Sequence, residues 1–281
     1  MLGSILRRPW WQVVIGLLVV VLVVAPNVWL IGRSLGTILS GGVAVDWHHF
    51  TEAGRRVHSD GLYEITADYG FRYSPVLALF FGVIAPMGEV AWRLLHVGAA
   101  LALPTWPMRL VTLALWPFWF DVEAGNVIVF VLLAAAWALR GNAAGIGAFM
   151  VLSVLMPRPL MLPVLAWLLW RHPASRLPFV GLFVVHLVAV LATGWGGEWV
   201  SVLLASGDEI GSVLNLGPSR FIGVAWVVIG LPLAAWLTWR GRLGWASLAA
   251  SPYWLPYYLL MPVLELDRGG RRGAGFAPGR K

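Results

Sequence analysis

Asp46-Trp47-His48-His49-Phe50 sets a carboxylate and two imidazoles side by side where the chain first turns strongly polar after a long apolar run. Groups of this kind accept, hold or pass on protons. Composition removes other chemistries. The chain has no cysteine, which excludes disulfides and thiolate chemistry, and its six histidines are scattered without zinc-ligand spacing. Neither a metal nor a cofactor is expected.

A second chemical feature is Arg158, set between Pro157 and Pro159 and flanked by Leu155-Met156 and Leu160-Met161. A charge at membrane depth is costly, so it needs a reason. Guanidinium stays charged and matches phosphate oxygens two at a time, which makes a phosphate ligand one reading. An arginine whose head snorkels to an interface is the other. Arg72, beside Tyr73, divides in the same way between phosphate contact and interface anchor. Glu123 and Asn126 either hold a sugar hydroxyl or cap the helix that follows. His96 and His186, alone in apolar segments, read as core or cavity-facing residues.

The elements that must position these residues are those of a membrane protein. Hydrophobic residues make up 59% of the 281 and charged residues 12%, with a mean hydropathy of +0.79, well beyond a soluble domain. The net charge of +7 is almost wholly arginine, placed beside apolar runs in a positive-inside pattern and not as a nucleic-acid surface. Arg7-Arg8 precedes an apolar run from Trp11 to Ile31, about the 20 residues a hydrocarbon core demands. The first span is therefore expected to keep its N-terminus in the cytoplasm and to place 33–73 outside. In that loop Asp46 is expected to cap an amphipathic helix with Phe50, Ala53 and Val57 on its apolar face, lying on the membrane surface and stopped by Gly61.

Further spans are expected over 74–87, 90–106, 108–120, 125–139, 143–156, 158–170, 177–195, 221–239 and 244–265. Several are short for a crossing, so some are half-helices or broken helices. The expected fold class is an all-α, polytopic bundle of about eight to ten transmembrane helices, with 1–266 as one membrane domain and 267–281 as a basic, disordered tail. If Arg140, Arg171, Arg176, Arg240 and Arg242 are cytoplasmic, then Arg158 and the loop over 196–220, with Glu198, Asp208, Glu209 and Arg220, share the outer side with Asp46. That layout requires 90–120 to make one net crossing, broken at Pro104 and Pro107. It also requires 244–265 to turn back at Pro252 and Pro256.

The order of these features resembles glycosyltransferase family 87, the polyprenol-phosphate-mannose-dependent mannosyltransferases of the GT-C superfamily. The matching elements are Asp46 with Phe50, then Gly61-Leu62-Tyr63, Phe71-Arg72-Tyr73-Ser74-Pro75, Gly125-Asn126, Ala144-Gly145-Ile146, Pro157-Arg158-Pro159 and Ser251-Pro252-Tyr253, covering about residues 5 to 262. The family carries lysine where this chain has Arg158, and by this resemblance the chain would be a short member. The resemblance implies a GT-C-like bundle in a bacterial plasma membrane, its active site facing the extracytoplasmic side. It further implies inverting transfer of a sugar, mannose by family, from a polyprenyl-phosphate donor to a glycolipid or glycan acceptor. Asp46 would then be the general base, with His48 or His49 assisting. Arg158 and Arg72 would bind the donor phosphate, and Tyr73, Glu123 and Asn126 would contact substrate. The implied partners are donor, acceptor and lipid bilayer, with no nucleic acid. Two other classes fit the same chain: a lipid or small-molecule transporter or flippase, which also uses broken helices, and a catalytically silent GT-C-like scaffold subunit.

The arginine pattern makes the orientation testable. A cysteine introduced at Ser59 should react with a membrane-impermeant thiol reagent in intact cells, and one at Ser175 should not; labelling at Ser175 alone would invert the topology.

Overall fold

The computed structural model describes residues 10–59, 61–64, 70–205, 210 and 212–267. Among them the regular elements are all helical, with no strand. Helix α1 runs unbroken through Trp10–Val19, a π-helical stretch Val20–Val24 and Ala25–Leu39, well past its expected end at Ile31. There follow α2 (Val45–Arg56), α3 (Pro75–Ile84), α4 (Gly88–Leu101), α5 (Trp106–Ala114), α6 (Trp116–Ala124), α7 (Ile128–Ala138), α8 (Ala143–Leu155) and α9 (Leu162–Arg171). The chain continues through α10 (Arg176–Ala192), α11 (Gly196–Ala205), α12 (Ser219–Ile222), α13 (Ala225–Trp239), α14 (Leu243–Ala250) and a final 3-10 stretch, Pro256–Leu266.

Three helical stretches are long and apolar enough to cross a membrane: Gly16–Leu39, Pro75–Leu101 and Pro173–Ala192. Their outward side chains are large, apolar and exposed, as at Leu22 (68%), Val83 (79%) and Leu177 (80%). Contiguous apolar surface of this extent suits lipid rather than water. The apolar helices α7, α8, Pro159–Arg171 and α13 have 10–17 residues each, short for a hydrocarbon core of about 30 Å.

Helix α2 departs from the surface-lying helix expected of its pattern. Trp47, Phe50, Ala53 and Val57 are buried, and Trp47 and Phe50 meet Phe81 of α3 at ring-centroid distances of 5.9 and 4.5 Å. The apolar face is thus covered by protein. Asp46 does not cap this helix: α2 starts at Val45 with Ala44 in the cap position and no side-chain cap bond, because the Asp46 carboxylate is held by Asn126. The helix also ends at Arg56, ahead of Gly61. Where α2 and α3 meet, Gly54 and Gly82 bring the two backbones together; a Cβ on Gly54 would lie 2.3 Å from the Gly82 nitrogen.

The leg from 74 to 120 also runs differently from expectation. Gly88, with φ of 79°, redirects the chain between α3 and α4. Both ends of α3 stay at the α2 side: the Ser74 N–H donates to the Leu155 carbonyl at 3.2 Å, and Arg93, soon after Gly88, donates to the Gly42 carbonyl at 2.6 Å. Helix α4 then leads away to Ala102, whose carbonyl accepts from Trp137 Nε1 at 3.0 Å. Helices α5 and α6 lead back. The single net crossing expected over 90–120 is replaced by an outgoing and a returning leg, and α3 is the piece that lies alongside α2.

At the far end the segment 244–265 does turn back. Trp226 Nε1 holds the Ser251 carbonyl at 3.0 Å at the tip, and the Gly244 N–H donates to Glu265 Oε1 at 3.0 Å at the base. Asp267, expected to begin the tail, is buried and takes Arg140 in a forked pair at 2.7 and 3.0 Å; residues 268–281 lie outside the described residues.

Gly54→Ala should lower the thermal midpoint of the detergent-solubilised protein through overpacking, about 1–3 kcal/mol. Gly98→Ala, whose Cβ would meet nothing within 4 Å, should leave the midpoint unchanged or slightly higher. Equal losses in both would contradict the close α2–α3 contact.

Candidate functional site

The site is built on the turn between α6 and α7. Gly125, left-handed at φ 71°, closes α6, and the N–H groups of Gly125 and Asn126 both donate to the Asp121 carbonyl, at 2.9 and 3.1 Å. No side chain fits at Gly125, because a Cβ there would lie 2.8 Å from Trp47 Cβ and 3.0 Å from Ala44 Cβ. The start of α2 therefore sits directly on this turn. From beneath, Trp92 Nε1 donates to the Gly125 carbonyl at 2.9 Å, and the ring nitrogens of buried His96 face the Trp92 and Asn126 carbonyls at 2.8 and 2.6 Å. His96 is thus a core residue, and a neutral ring can donate to only one of these two carbonyls.

So fixed, Asn126 is buried and its amide has one orientation. Its Oδ1 accepts from the Val127 N–H at 2.7 Å, which turns Nδ2 toward Asp46, to whose Oδ2 it donates at 2.5 Å. Asp46 lies in the first turn of α2 and is only partly buried, and the N-terminal end of a helix favours its negative charge.

Asp121 is the residue that sequence reasoning missed. It is fully buried; Oδ2 accepts from the Val129 N–H at 2.9 Å and so caps α7, while Oδ1 has no protein partner. Burial pushes its carboxyl up to about 8, opposed by the backbone N–H groups of Val129 and Ile128 and by the Arg158 charge, while the Asp46 charge adds to the rise. Asp121 lies outside the three stretches long enough to cross a membrane. Its signal in the sequence was the spacing, an aspartate one helical turn before Gly125-Asn126. Glu123, the acid chosen instead, is two positions on and so on another face. It is partly exposed, and its backbone carbonyl, not its carboxylate, is approached by Arg93 at 3.5 Å.

Arg158 arrives from the other side. Helix α8 runs antiparallel to α7, permitted by Gly145, where a Cβ would lie 2.6 Å from the Ala138 nitrogen, and its end returns the chain to the Asn126 end. There Arg158 donates to the Tyr73 hydroxyl. Its guanidinium lies 4.7 Å from the Tyr73 ring centroid and 5.4 Å from that of Tyr258, a pair of cation–π contacts. Tyr73 is anchored by its carbonyl, which accepts from Tyr63 Oη at 2.9 Å, and by Phe50 at 5.3 Å. Ser74 caps α3 through Val76 N at 3.2 Å, with Pro75 at the first helical position. Arg72 is half-buried in the same strip.

The structure thus gathers Asp46, Asn126, Asp121, Tyr73 and Arg158. His49, one turn from Asp46 on α2, is half-buried with its Nδ1 lacking a protein partner. His48 is exposed and acts on Glu52. The carboxyl of Glu52 is held below its usual range mainly by its hydrogen bond from Arg56 at 2.8 Å. Arg220 is exposed and its side chain approaches the Val213 carbonyl at 3.5 Å; Asp208 and Glu209 lie outside the described residues. Among the described residues no three His, Asp or Glu side chains are grouped as a metal site. Compared with protein-family models, curated proteins and solved structures, the chain matches none of them.

A carboxyl that keeps its proton to about pH 8 when folded but ordinarily loses it near 4 takes up a proton on folding. Stability therefore falls as pH rises between those values. Asp121→Asn abolishes that loss, so the variant's thermal midpoint should gain on wild type as pH is raised from about 5 to about 8. A constant difference across that range would show that Asp121 is already ionised.

Proposed function

We propose that this chain is a membrane-embedded glycosyltransferase that moves a sugar from a polyprenyl-phosphate donor to a glycolipid or glycan acceptor on the extracytoplasmic side. The observation that carries the proposal is a carboxylate orientated on the α6–α7 turn, Asp46 held by Asn126 at 2.5 Å, together with a guanidinium held by Tyr73 where α8 returns to that end of the fold. These are the two charges such a reaction needs, brought from separate parts of the chain by the α6–α7 turn and the α7–α8 hairpin. The ordered resemblance to glycosyltransferase family 87 supports the same reading and suggests mannose as the sugar.

In the proposed reaction the acceptor hydroxyl attacks the anomeric carbon as the bond from that carbon to the lipid phosphate oxygen breaks. Asp46 takes the hydroxyl proton, with its orientation set by Asn126. The leaving phosphate gains negative charge, which Arg158 stabilises in surroundings of low dielectric. The stacking of Tyr73 and Tyr258 beside Arg158 restricts its plane, so the phosphate meets a prepared donor and not a mobile one. His49 stands one turn from Asp46, where it can assist, and Arg72 is close along the chain to the phosphate end. An apolar groove of about 560 Å³ between α7 and α8, lined by Phe130, Leu133, Trp137, Val151 and Leu152, has the chemistry for the polyprenyl tail.

The test is transfer from a labelled polyprenyl-phosphate sugar by the purified protein. Asp46→Asn should lose at least about 10²-fold of the rate while keeping membrane insertion. Arg158→Lys should retain part of the activity because charge remains, and Arg158→Met should lose about 10²-fold. Near wild-type transfer by Asp46→Asn would sink the mechanism. A wild-type protein without transfer would favour the scaffold reading, and passage of lipid without transfer the flippase.

A further inference from the structure

A second cavity, of about 740 Å³, opens where the C-terminal ends of α2 and α10 meet the start of α11, lined by His58, Ser59, Leu79, Thr193, Trp195 and Glu198. Its size is that of a small-molecule site. It is separate from Asp46: Asp46 and Val57 stand at opposite ends of α2, about 16 Å apart at roughly 1.5 Å per residue. We infer that this cavity is a carbohydrate-binding subsite that takes the distal, non-reacting part of a glycan.

The lining selects that chemistry. Glu198 offers an acceptor-only carboxylate, Ser59 and Thr193 offer hydroxyls, and His58 an imidazole, so the cavity both donates and accepts as a polyol requires. Trp195 supplies an apolar face for the C–H side of a sugar ring. It is prevented from turning by its Nε1 bond to the Val57 carbonyl at 3.1 Å and by the Tyr63 ring at 6.2 Å. An anionic ligand is disfavoured, because among the described residues no arginine or lysine lines the cavity and Glu198 would repel it. A quaternary ammonium group would need several aromatic faces, and among the described residues Trp195 is the one Trp, Tyr or Phe in the lining.

The cavity is also tied to the reaction centre. Tyr63 packs on Trp195 and donates to the Tyr73 carbonyl at 2.9 Å, and Tyr73 carries Arg158. The Glu198 carboxylate reaches this chain of contacts electrostatically: burial, with the Glu198 charge adding to it, pushes the Tyr63 hydroxyl well above the usual phenol range. An acceptor seated here would lie at the membrane surface, near where the apolar helix α10 ends at Ala192, and would have to span the length of α2 to present a hydroxyl to Asp46. That favours an oligosaccharide or the extended head of a glycolipid over a single hexose. The link to acceptor delivery rests on the proposed transfer reaction; binding of carbohydrate does not.

The two are separated by measuring binding and transfer in the same full-length protein. Saturation-transfer NMR in detergent, with mannose-, glucose- and galactose-based trisaccharides as probes, should show saturable binding of at least one in wild type and equally in Asp46→Asn. Binding should be at least about tenfold weaker in Glu198→Ala, the loss expected for a hydrogen bond to a charged group. It should be blocked in Ser59→Trp, which fills the cavity from an exposed position. Saturable binding in a protein without transfer would uphold the subsite and reject the transferase. The subsite is overturned if no trisaccharide binds, if Glu198→Ala and Ser59→Trp bind as wild type does, or if choline displaces the sugar.

Discussion

The seating of α2 on the α6–α7 turn is the contact from which the rest of the arrangement follows. Gly125 is demanded twice, once by its left-handed backbone and once by Trp47 and Ala44, which occupy the space a side chain would need. Any larger residue would lift α2 off the turn, separating Asn126 from Asp46 and uncovering the aromatic cluster of Trp47, Phe81 and Trp92. Precise placement of a carboxylate is thus achieved by backbone proximity and one amide, on a helix whose own apolar face anchors it. A carboxylate at a position this tightly determined by packing has little freedom to change its orientation.

The same constraint explains which parts of the architecture were legible in the sequence. Composition and the apolar runs pointed to helices and to lipid, because those follow from the chemistry of single segments. The antiparallel return of α8 was implicit in the arginine bias, which put Arg140 and Arg158 on opposite sides. What remained hidden depended on partners distant in sequence. The pattern of α2 reads as amphipathic whether its apolar side meets lipid or protein, and only Gly54 and Gly82 together reveal the protein. Likewise, the break read between 87 and 90 does not announce that the chain stays on the α2 side there, with Arg93 reaching back to the Gly42 carbonyl.

The candidate site shows the same division. Asp46, Asn126, Arg158 and Tyr73 stood out because polar residues in apolar surroundings are conspicuous, and the structure brings them together. Asp121 was concealed by its neighbours, since in Phe-Asp-Val-Glu-Ala-Gly-Asn either acid could be the inward one and the helix phase decides. Asp267 looked like the start of a solvated tail because its partner, Arg140, lies 127 residues earlier. His48 and His49 were equivalent on paper; the helix separates them, giving one to solvent beside Glu52 and the other to a half-enclosed position a turn from Asp46.

Asn27 carries a consequence for the role of the first helix. Its side chain donates to the Ala114 carbonyl at 2.9 Å and accepts from the Trp116 N–H at 2.8 Å, across 87 and 89 residues of chain. These are the backbone groups released where α5 breaks and α6 begins, and a buried backbone group left without a partner is costly. The broken pair therefore does not satisfy its own backbone and depends on a helix far earlier in the chain to do so. The first helix, exposed along most of its length and easily taken for a simple anchor, is also the partner that closes the break between α5 and α6.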